Sequence, residues 1–251
     1  MDIALIIGKK NSLGVPGKNT KVILGRPCAE YAFIAAKYSN ADIIFTSSDS
    51  KEIKEIGDDY GALFLERPPE LATSEALTED ALTYAYTQIQ GELGSKAETI
   101  ETISLLFCNN PAVDVYLLKE AKSILKNKED LDSCFSVARY DMFSPTRARR
   151  LENGIIKNFV DPSVLGEISS IRSSQGAVYF CDLSIQIMKP RCFINMDKGN
   201  LPFKWQGKKS YAVETDFGFD IDTEWQFVVI EHWLRKRGFT ESKIAWEKNE
   251  H

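Results

Sequence analysis

Over the first 139 residues, short unbroken apolar runs alternate with stretches of helical periodicity. Residues 3–7 (IALII) contain no polar position and stop at Gly8, which predicts a strand buried on both faces. Residues 8–19 form a loop, and 27–38 form a helix with Ala29, Ala32, Phe33 and Ala36 on one face. A second strand over 42–46 runs into Ser47-Ser48-Asp49-Ser50, where Ser50 can cap a helix that Gly61 ends. ALFLER (62–67) is a third strand, followed by a helix opening at Thr73 or Ser74 and running to about Gln90. ISLLFC (103–108), an amphipathic helix over 115–128 and DSCFSVAR (132–139) complete the series. Such alternation is the signature of a mainly parallel, doubly wound sheet with helices on both faces.

The rhythm breaks after Arg139. Residues 140–175 are polar and carry Pro145, Gly154, Pro162 and Gly166. GAVYFCDLSI (176–185) predicts a strand leading into a short helix, and 190–212 reads as irregular or hairpin-like. GFDID then predicts a short strand, before a helix that starts near Asp222 or Thr223 and stops at Gly238. No repeat or low-complexity tract interrupts the chain, so residues 1–251 read as one domain, with 140–212 an excursion beside the sheet.

Composition adds bounds. The chain is 43% hydrophobic and 27% charged, an ordinary globular balance, and its net charge of −5 argues against a general nucleic-acid binder. Any anion site must be local. Cys28, Cys108, Cys134, Cys181 and Cys192 form no CxxC pair, as expected of reduced, structural thiols in a cytoplasmic protein. The apolar run at the start is too short for a signal peptide, and no run is long enough to span a membrane.

Open parallel sheets bind ligands at the carboxyl ends of their strands. The polar residues there are 8–19, Ser47 to Ser50, Arg67 with its following loop, Asn109-Asn110, Arg139, and Asp220 with Asp222. The first loop, GKKNSLGVPGKN, has Lys9, Lys10 and Lys18 beside Gly8, Ser12, Gly14 and Gly17, with amides at Asn11 and Asn19. Glycines let backbone N–H groups approach an anion, and lysines supply point charges. The loop fits neither the Walker A nor the GxGxxG pattern, so it reads as a phosphate cradle or as a solvated turn. Asp220 and Asp222, two apart, would share one side of a strand and could hold Mg²⁺; alternatively Asp222 or Thr223 caps the last helix and Asp220 is exposed. His232 lies within that helix and His251 ends the chain, and there is no GxSxG elbow. Ser-His and Cys-His schemes are thereby largely excluded. The remaining chemistry runs on cations, carboxylates and a metal, which suits phosphoryl or nucleotidyl transfer.

Six segments in order resemble the CMP-sialic acid synthetases (acylneuraminate cytidylyltransferases). IIGKKNSLGVPGKN is similar to their strand followed by A-R-x-x-S-K-G-x-P-x-K-N. GRPCAEYAFIAA, IIFTSSDSKEIKEIGDDYGA, ERPPELATSEALTEDAL, SQGAVYF and FDIDTEWQF match further motifs in register, covering most of 1–139 and 172–237. The resemblance implies a Rossmann-like nucleotidyltransferase fold, a homodimer formed through the middle excursion, and CTP and an acidic sugar as substrates. The anomeric hydroxyl of a 2-keto-3-deoxy sugar acid would attack the α-phosphorus of CTP, with Mg²⁺ present. It implies that Gly8, Lys9, Lys10, Asn11, Ser12, Lys18, Asn19, Arg67 and Thr78 bind the nucleotide, with Lys18, Asp222 and Lys9 at the chemistry. Asp220 and Asp222 would hold the metal, and Phe107, Asn109, Arg172 and Gln175 would face the acceptor. Membrane and nucleic acid are not among the expected partners.

The departures concentrate on the acceptor side. The family's first arginine is Lys9 here, and the lysine of its S-K-G is Leu13. Its acceptor-facing glutamine is Phe107, a following arginine is Val113, and R-x-N-G becomes Arg172-Ser-Ser-Gln-Gly with one extra residue. The acceptor can therefore differ from ordinary sialic acid. The same fold with another acceptor, or a weakened homologue acting as a binding or regulatory protein, are the alternative readings.

Overall fold

The computed structural model describes residues 1–11, 14–166, 169–171 and 176–247. The chain begins with β1 (Asp2–Ile7), the first loop, and a small ribbon of β2 (Val22–Ile23) and β3 (Arg26–Pro27). Then follow α1 (Glu30–Tyr38), β4 (Ile43–Ser48), α2 (Lys51–Asp59), β5 (Leu63–Glu66), α3 (Thr78–Leu93) and β6 (Thr102–Phe107). Next come α4 (Val115–Asn127) and β7 (Ser133–Arg139). A projecting hairpin of β8 (Arg149–Glu152) and β9 (Ile155–Asn158) precedes β10 (Tyr179–Met188), α5 (Pro190–Ile194), β11 (Ser210–Thr215) and α6 (Glu224–Lys236).

Seven strands form one sheet in the order β11-β7-β10-β6-β1-β4-β5. Every neighbouring pair is parallel except the two made by β10, which runs antiparallel between β6 and β7. The expected mainly parallel sheet with helices on both faces is what forms. Strand β1 shows why its sequence lacks polar positions. Ala4 and Ile6 pack with Ala32, Phe33 and Leu118 on one face, and Ile3 and Leu5 pack with Leu82, Ile89 and Phe193 on the other. Each fully buried large side chain contributes roughly 1.5–3 kcal/mol. A third cluster seats α6 on α1, through Ile230, Trp233 and Leu234 against Tyr31 and Ile34.

Caps place the helices. Ser50 Oγ accepts from Ile53 N at 3.3 Å, as expected for α2, and Asp114 Oδ1 accepts from Tyr116 N and Leu117 N to start α4. Several expectations are corrected. The helix placed from Thr73 or Ser74 begins at Thr78, and residues 73–77 stay outside it, on the rim of the sheet. The helix placed from Pro27 begins at Glu30, because Arg26 and Pro27 pair with β2. Segment 190–212 holds α5 and the start of β11, a strand pairing parallel with β7. Strands β10 and β11 are thus parts of the main sheet, and of the excursion only the described residues between 140 and 178 lie beside it. Asp220 and Asp222 lie in coil, not on a strand.

Candidate active site

A cleft of about 660 Å³ opens at the carboxyl ends of β1 and β6 and beside the segment that follows β5. Register brings its walls together: Ile7 of β1 lies between Ser47 of β4 and Phe107 of β6. The first loop forms one side of it. A Cβ on Gly8 would fall 2.6 Å from Cys108 Sγ, and one on Gly14 would fall 2.6 Å from the carbonyl oxygen of Asp222. Gly17 has φ +68°, a conformation that favours glycine. The glycines therefore serve close packing as well as exposure of backbone. Buried Asn19 ties the loop to itself, its Nδ2 donating to Lys9 O at 2.8 Å. Lys10 N donates to Asp49 Oδ1 at 2.8 Å and docks the loop on the end of β4.

The loop's lysines diverge in role. Lys18 is held at the base of the cleft: its side chain is 11% exposed, and Nζ donates to Ile221 O and Asp222 Oδ1, both at 2.7 Å. Lys9 Nζ donates to Thr73 O at 2.9 Å, which fastens the loop to the opposite wall of Ala72, Thr73 and Ser74. The Lys10 side chain is exposed and does not line the cleft, a correction to its expected place in the cradle. Its backbone faces Asp49, which turns the side chain outward.

Asp222 does not cap α6. Thr223, the other residue the sequence offered as a cap, is its N-cap, and the Gln226 side chain completes a capping box by accepting from the backbone N–H groups of Asp222 and Thr223, at 2.6 and 2.7 Å. The Asp222 carboxylate is thereby left for Lys18. Asp220 accepts from Asn110 Nδ2 at 3.1 Å. Burial, reinforced by the nearby Asp222 charge, pushes the Asp220 carboxyl up to about 7. Two carboxylates in such tension suit a cation between them. Among the described residues no group of three metal-ligating side chains converges anywhere. The donor set is therefore two hard oxygen ligands, which fits Mg²⁺ shared with phosphate oxygens and unfavourable for zinc.

Arg67 enters from the end of β5. It is buried, its Nη2 donates to Ser47 O at 2.9 Å, and burial lowers its pKa while Asp49 opposes the shift. Thr78, the first residue of α3, also lines the cleft, as do Asn11, Phe107 and Asn109. Cys28 and Cys108 are free and buried, and burial pushes both thiols up, Cys108 to about 12. Neither is a nucleophile near neutral pH. His232 is exposed on α6 and lines no part of the cleft.

Residues 3–150, more than half of the chain, match the cytidylyltransferase family. The chain belongs to that family. The N-acylneuraminate cytidylyltransferase A of Danio rerio is 25% identical over 94% of this chain and 51% of its own length. The N-acylneuraminate cytidylyltransferase of Escherichia coli is 29% identical over 55% of this chain and 31% of its own. A bifunctional Helicobacter pylori protein, named for pseudaminic acid cytidylyltransferase and a nucleotide-sugar hydrolase, is 29% identical over 64% of this chain and 30% of its own. The chain thus spans about half the length, or less, of these curated relatives. Among solved structures, CMP:2-keto-3-deoxy-manno-octonic acid synthetase complexed with CTP superposes with a TM-score of 0.63 at 11% identity, covering 94% of this chain and 98% of that one. At that identity the likeness shows the fold alone.

Of the residues expected from the sequence, Gly8, Lys9, Asn11, Lys18, Asn19, Arg67, Thr78, Phe107, Asn109, Asp220 and Asp222 share the one cleft. Ser12, Arg172 and Gln175, together with Leu13, lie outside the described residues. The loop after Arg67 was among the candidates, but Thr73 and Ser74, which extend it along the wall beyond Ala72, were missed. The segment read as the start of a helix, and helical periodicity gave no sign that its backbone carbonyl would take the Lys9 ammonium. No helix among the described residues is long and apolar enough to cross a membrane.

Proposed function

We propose that this cytidylyltransferase moves CMP from CTP to the anomeric hydroxyl of an acidic 2-keto-3-deoxy sugar. The hydroxyl oxygen forms a bond to the α-phosphorus and its proton passes to solvent, while the bond from that phosphorus to the β-phosphate bridging oxygen breaks and pyrophosphate leaves with the electron pair. The observation that carries the reading is the convergence of Lys18, Asp220 and Asp222 in one cleft with a glycine-rich loop. That set supplies a cation and two carboxylates where phosphates would lie, and among the described residues no histidine or cysteine lines the cleft.

In this reading the first loop cradles the triphosphate through backbone N–H groups, and Lys18 neutralises charge developing on the phosphates. Lys9, already spanning to Thr73, and Arg67 add positive potential along the wall. Asn19 keeps the loop closed on itself, and Thr78 and Asn11 contact the nucleotide. Asp220 and Asp222 hold Mg²⁺, which when bound supplies charge neutralisation for the phosphate oxygens. Phe107 and Asn109, at the end of β6, take the acceptor side. By resemblance Arg172 and Gln175 join them. Phe107 cannot donate or accept a hydrogen bond, so the acceptor need not be ordinary sialic acid.

The protein is further proposed to work as a cytoplasmic homodimer joined through the excursion. The β8–β9 hairpin pairs Leu151 with Ile156, and these side chains are 75% and 68% exposed. Met142, Phe143, Ile155, Phe159 and Val164 of the same segment are also exposed. Apolar side chains so concentrated mark a protein interface.

A coupled assay for pyrophosphate tests the reaction, with CTP, Mg²⁺ and a panel of nonulosonic and octulosonic acids. The expected result is release that depends on one of these acceptors. A folded protein that binds CTP yet releases no pyrophosphate with any of them contradicts it.

A further inference from the structure

Because Asp220 and Asp222 lie in coil, no sheet hydrogen bonds fix them. The turn that ends β6 takes over that task. Ile221 N donates to Asn109 O at 2.8 Å, and Asn110 Nδ2 donates to Asp220 Oδ1 at 3.1 Å. Asn110 is 1% exposed, and its nitrogen also donates to Asp182 O at 3.0 Å. Both neighbours are acceptors, so the amide has one sensible orientation, with its nitrogen toward them. Its Oδ1 is then buried with no hydrogen-bond partner among the described residues. An unpaired buried oxygen is costly, and the two contacts of the nitrogen must outweigh that cost.

The second contact reaches a rigid anchor. Asp182 lies in β10 where the pairing with β7 shifts register between Cys181 and Gln186, next to Leu183 at φ +60°. Its carboxylate accepts from Ser184 N at 2.9 Å and from the hydroxyls of Ser136 in β7 and Thr215 in β11. A Cβ on Gly218 would fall 2.8 Å from Asp182 Cγ, so the chain leading to Asp220 also packs directly on this carboxylate. Three strands therefore fix the backbone to which Asn110 is tied.

We propose that Asn110 is a positioning residue, whose amide ties the Asp220 carboxylate to the β10 backbone and so sets where that carboxylate sits in the cleft. This rests on the functional reading above, in which Asp220 is a metal ligand. Without the amide, the Asp220 carboxylate keeps only the Asn109 side chain as a neutral donor, and it turns toward bulk water and away from the Asp222 charge. Outer-sphere partners of metal ligands commonly change metal affinity by about 10- to 100-fold.

The test is a titration of the full chain with Mn²⁺, followed by electron paramagnetic resonance, alongside kcat and KM for CTP. Asn110→Leu, close in size but without a donor, is expected to weaken Mn²⁺ binding by about tenfold or more. It should lower kcat similarly while KM for CTP stays within about twofold, since Asn110 is buried behind the cleft and does not line it. Asn110→Ser, too short to bridge both acceptors, should give the same result and serves if the leucine variant does not fold. Cys134→Ala, a buried change near the other end of β7, should lower Tm and leave Mn²⁺ affinity unchanged. Wild-type-like Mn²⁺ affinity and kcat in the Asn110 variants overturn the proposal, as do losses that Cys134→Ala reproduces. A wild-type protein that neither binds Mn²⁺ nor releases pyrophosphate overturns the functional reading, and this proposal with it.

Discussion

Lys18 and Asp222, 204 residues apart in sequence, are joined by a 2.7 Å contact from Nζ to Oδ1 at the base of the cleft. The same ammonium donates to Ile221 O, so the first loop and the segment before α6 are held in one arrangement. The pair brings a cation and a candidate metal ligand to a single point.

Loss of Lys18 should therefore affect chemistry more than folding. Lys18→Ala is expected to lower kcat/KM for CTP by tenfold or more, since one cation at a developing phosphate charge is worth roughly 2–4 kcal/mol. Steady-state kinetics with a working acceptor measures this, and a change under about twofold would remove Lys18 from the reaction.

Asp220 gives a pH signature. Its carboxyl is raised to about 7 by burial and by the Asp222 charge. The folded state therefore holds this proton more tightly than the unfolded state, and stability falls as pH rises from about 4 to 7. Because the residue retains some solvent access, the loss should be on the order of 1–2 kcal/mol. Urea denaturation in EDTA should show Asp220→Asn close to wild type at pH 4.5 and more stable than wild type at pH 7.5. Mg²⁺ should narrow the gap at pH 7.5, and activity should be lost at both.

Gly14 is a steric prediction. A Cβ there meets Asp222 O at 2.6 Å, a backbone atom that no rotamer change can move aside. Gly14→Ala should separate the loop from the Asp222 segment and lower kcat/KM about tenfold or more, in line with the sensitivity of reacting geometry to small displacements. Circular dichroism should show the sheet intact. Wild-type kinetics would mean that the loop does not depend on this contact.

Much of this architecture was legible because burial writes simple patterns. Strands β1, β4 and β6 read as apolar runs since both their faces are covered. The glycines and lysines of the first loop marked the strand end at which the cleft opens. Strand β11 was not legible: it is an edge strand, SYAVET, with Val213 its one buried residue, so it carries no apolar run. Asp220 and Asp222 looked strand-borne from the alternation in GFDID, yet the segment is coil, where the rings of Phe217 and Phe219 pack on each other with centroids 4.6 Å apart. The contacts that assemble the site, Lys18 with Asp222 and Asn110 with Asp220, cross long stretches of sequence and leave no local periodicity. Asn110 stood among the polar strand ends, but nothing in its neighbours pointed to a bridge between β10 and the carboxylate.

The excursion predicts an oligomer. Leu151→Glu with Ile156→Glu should convert a dimer to a monomer in light scattering with the main sheet unperturbed, since both side chains are exposed and lie beyond it. A dimer that survives both charges would place the interface elsewhere.

The central claim is transfer of CMP itself, and ³¹P NMR of a reaction mixture observes it directly. With CTP, Mg²⁺ and an acidic 2-keto-3-deoxy sugar, the three CTP resonances should give way to one phosphodiester signal and one pyrophosphate signal in equal molar amounts. Persistence of the CTP resonances with every acidic sugar tried, or their decay to CDP and phosphate, would contradict it.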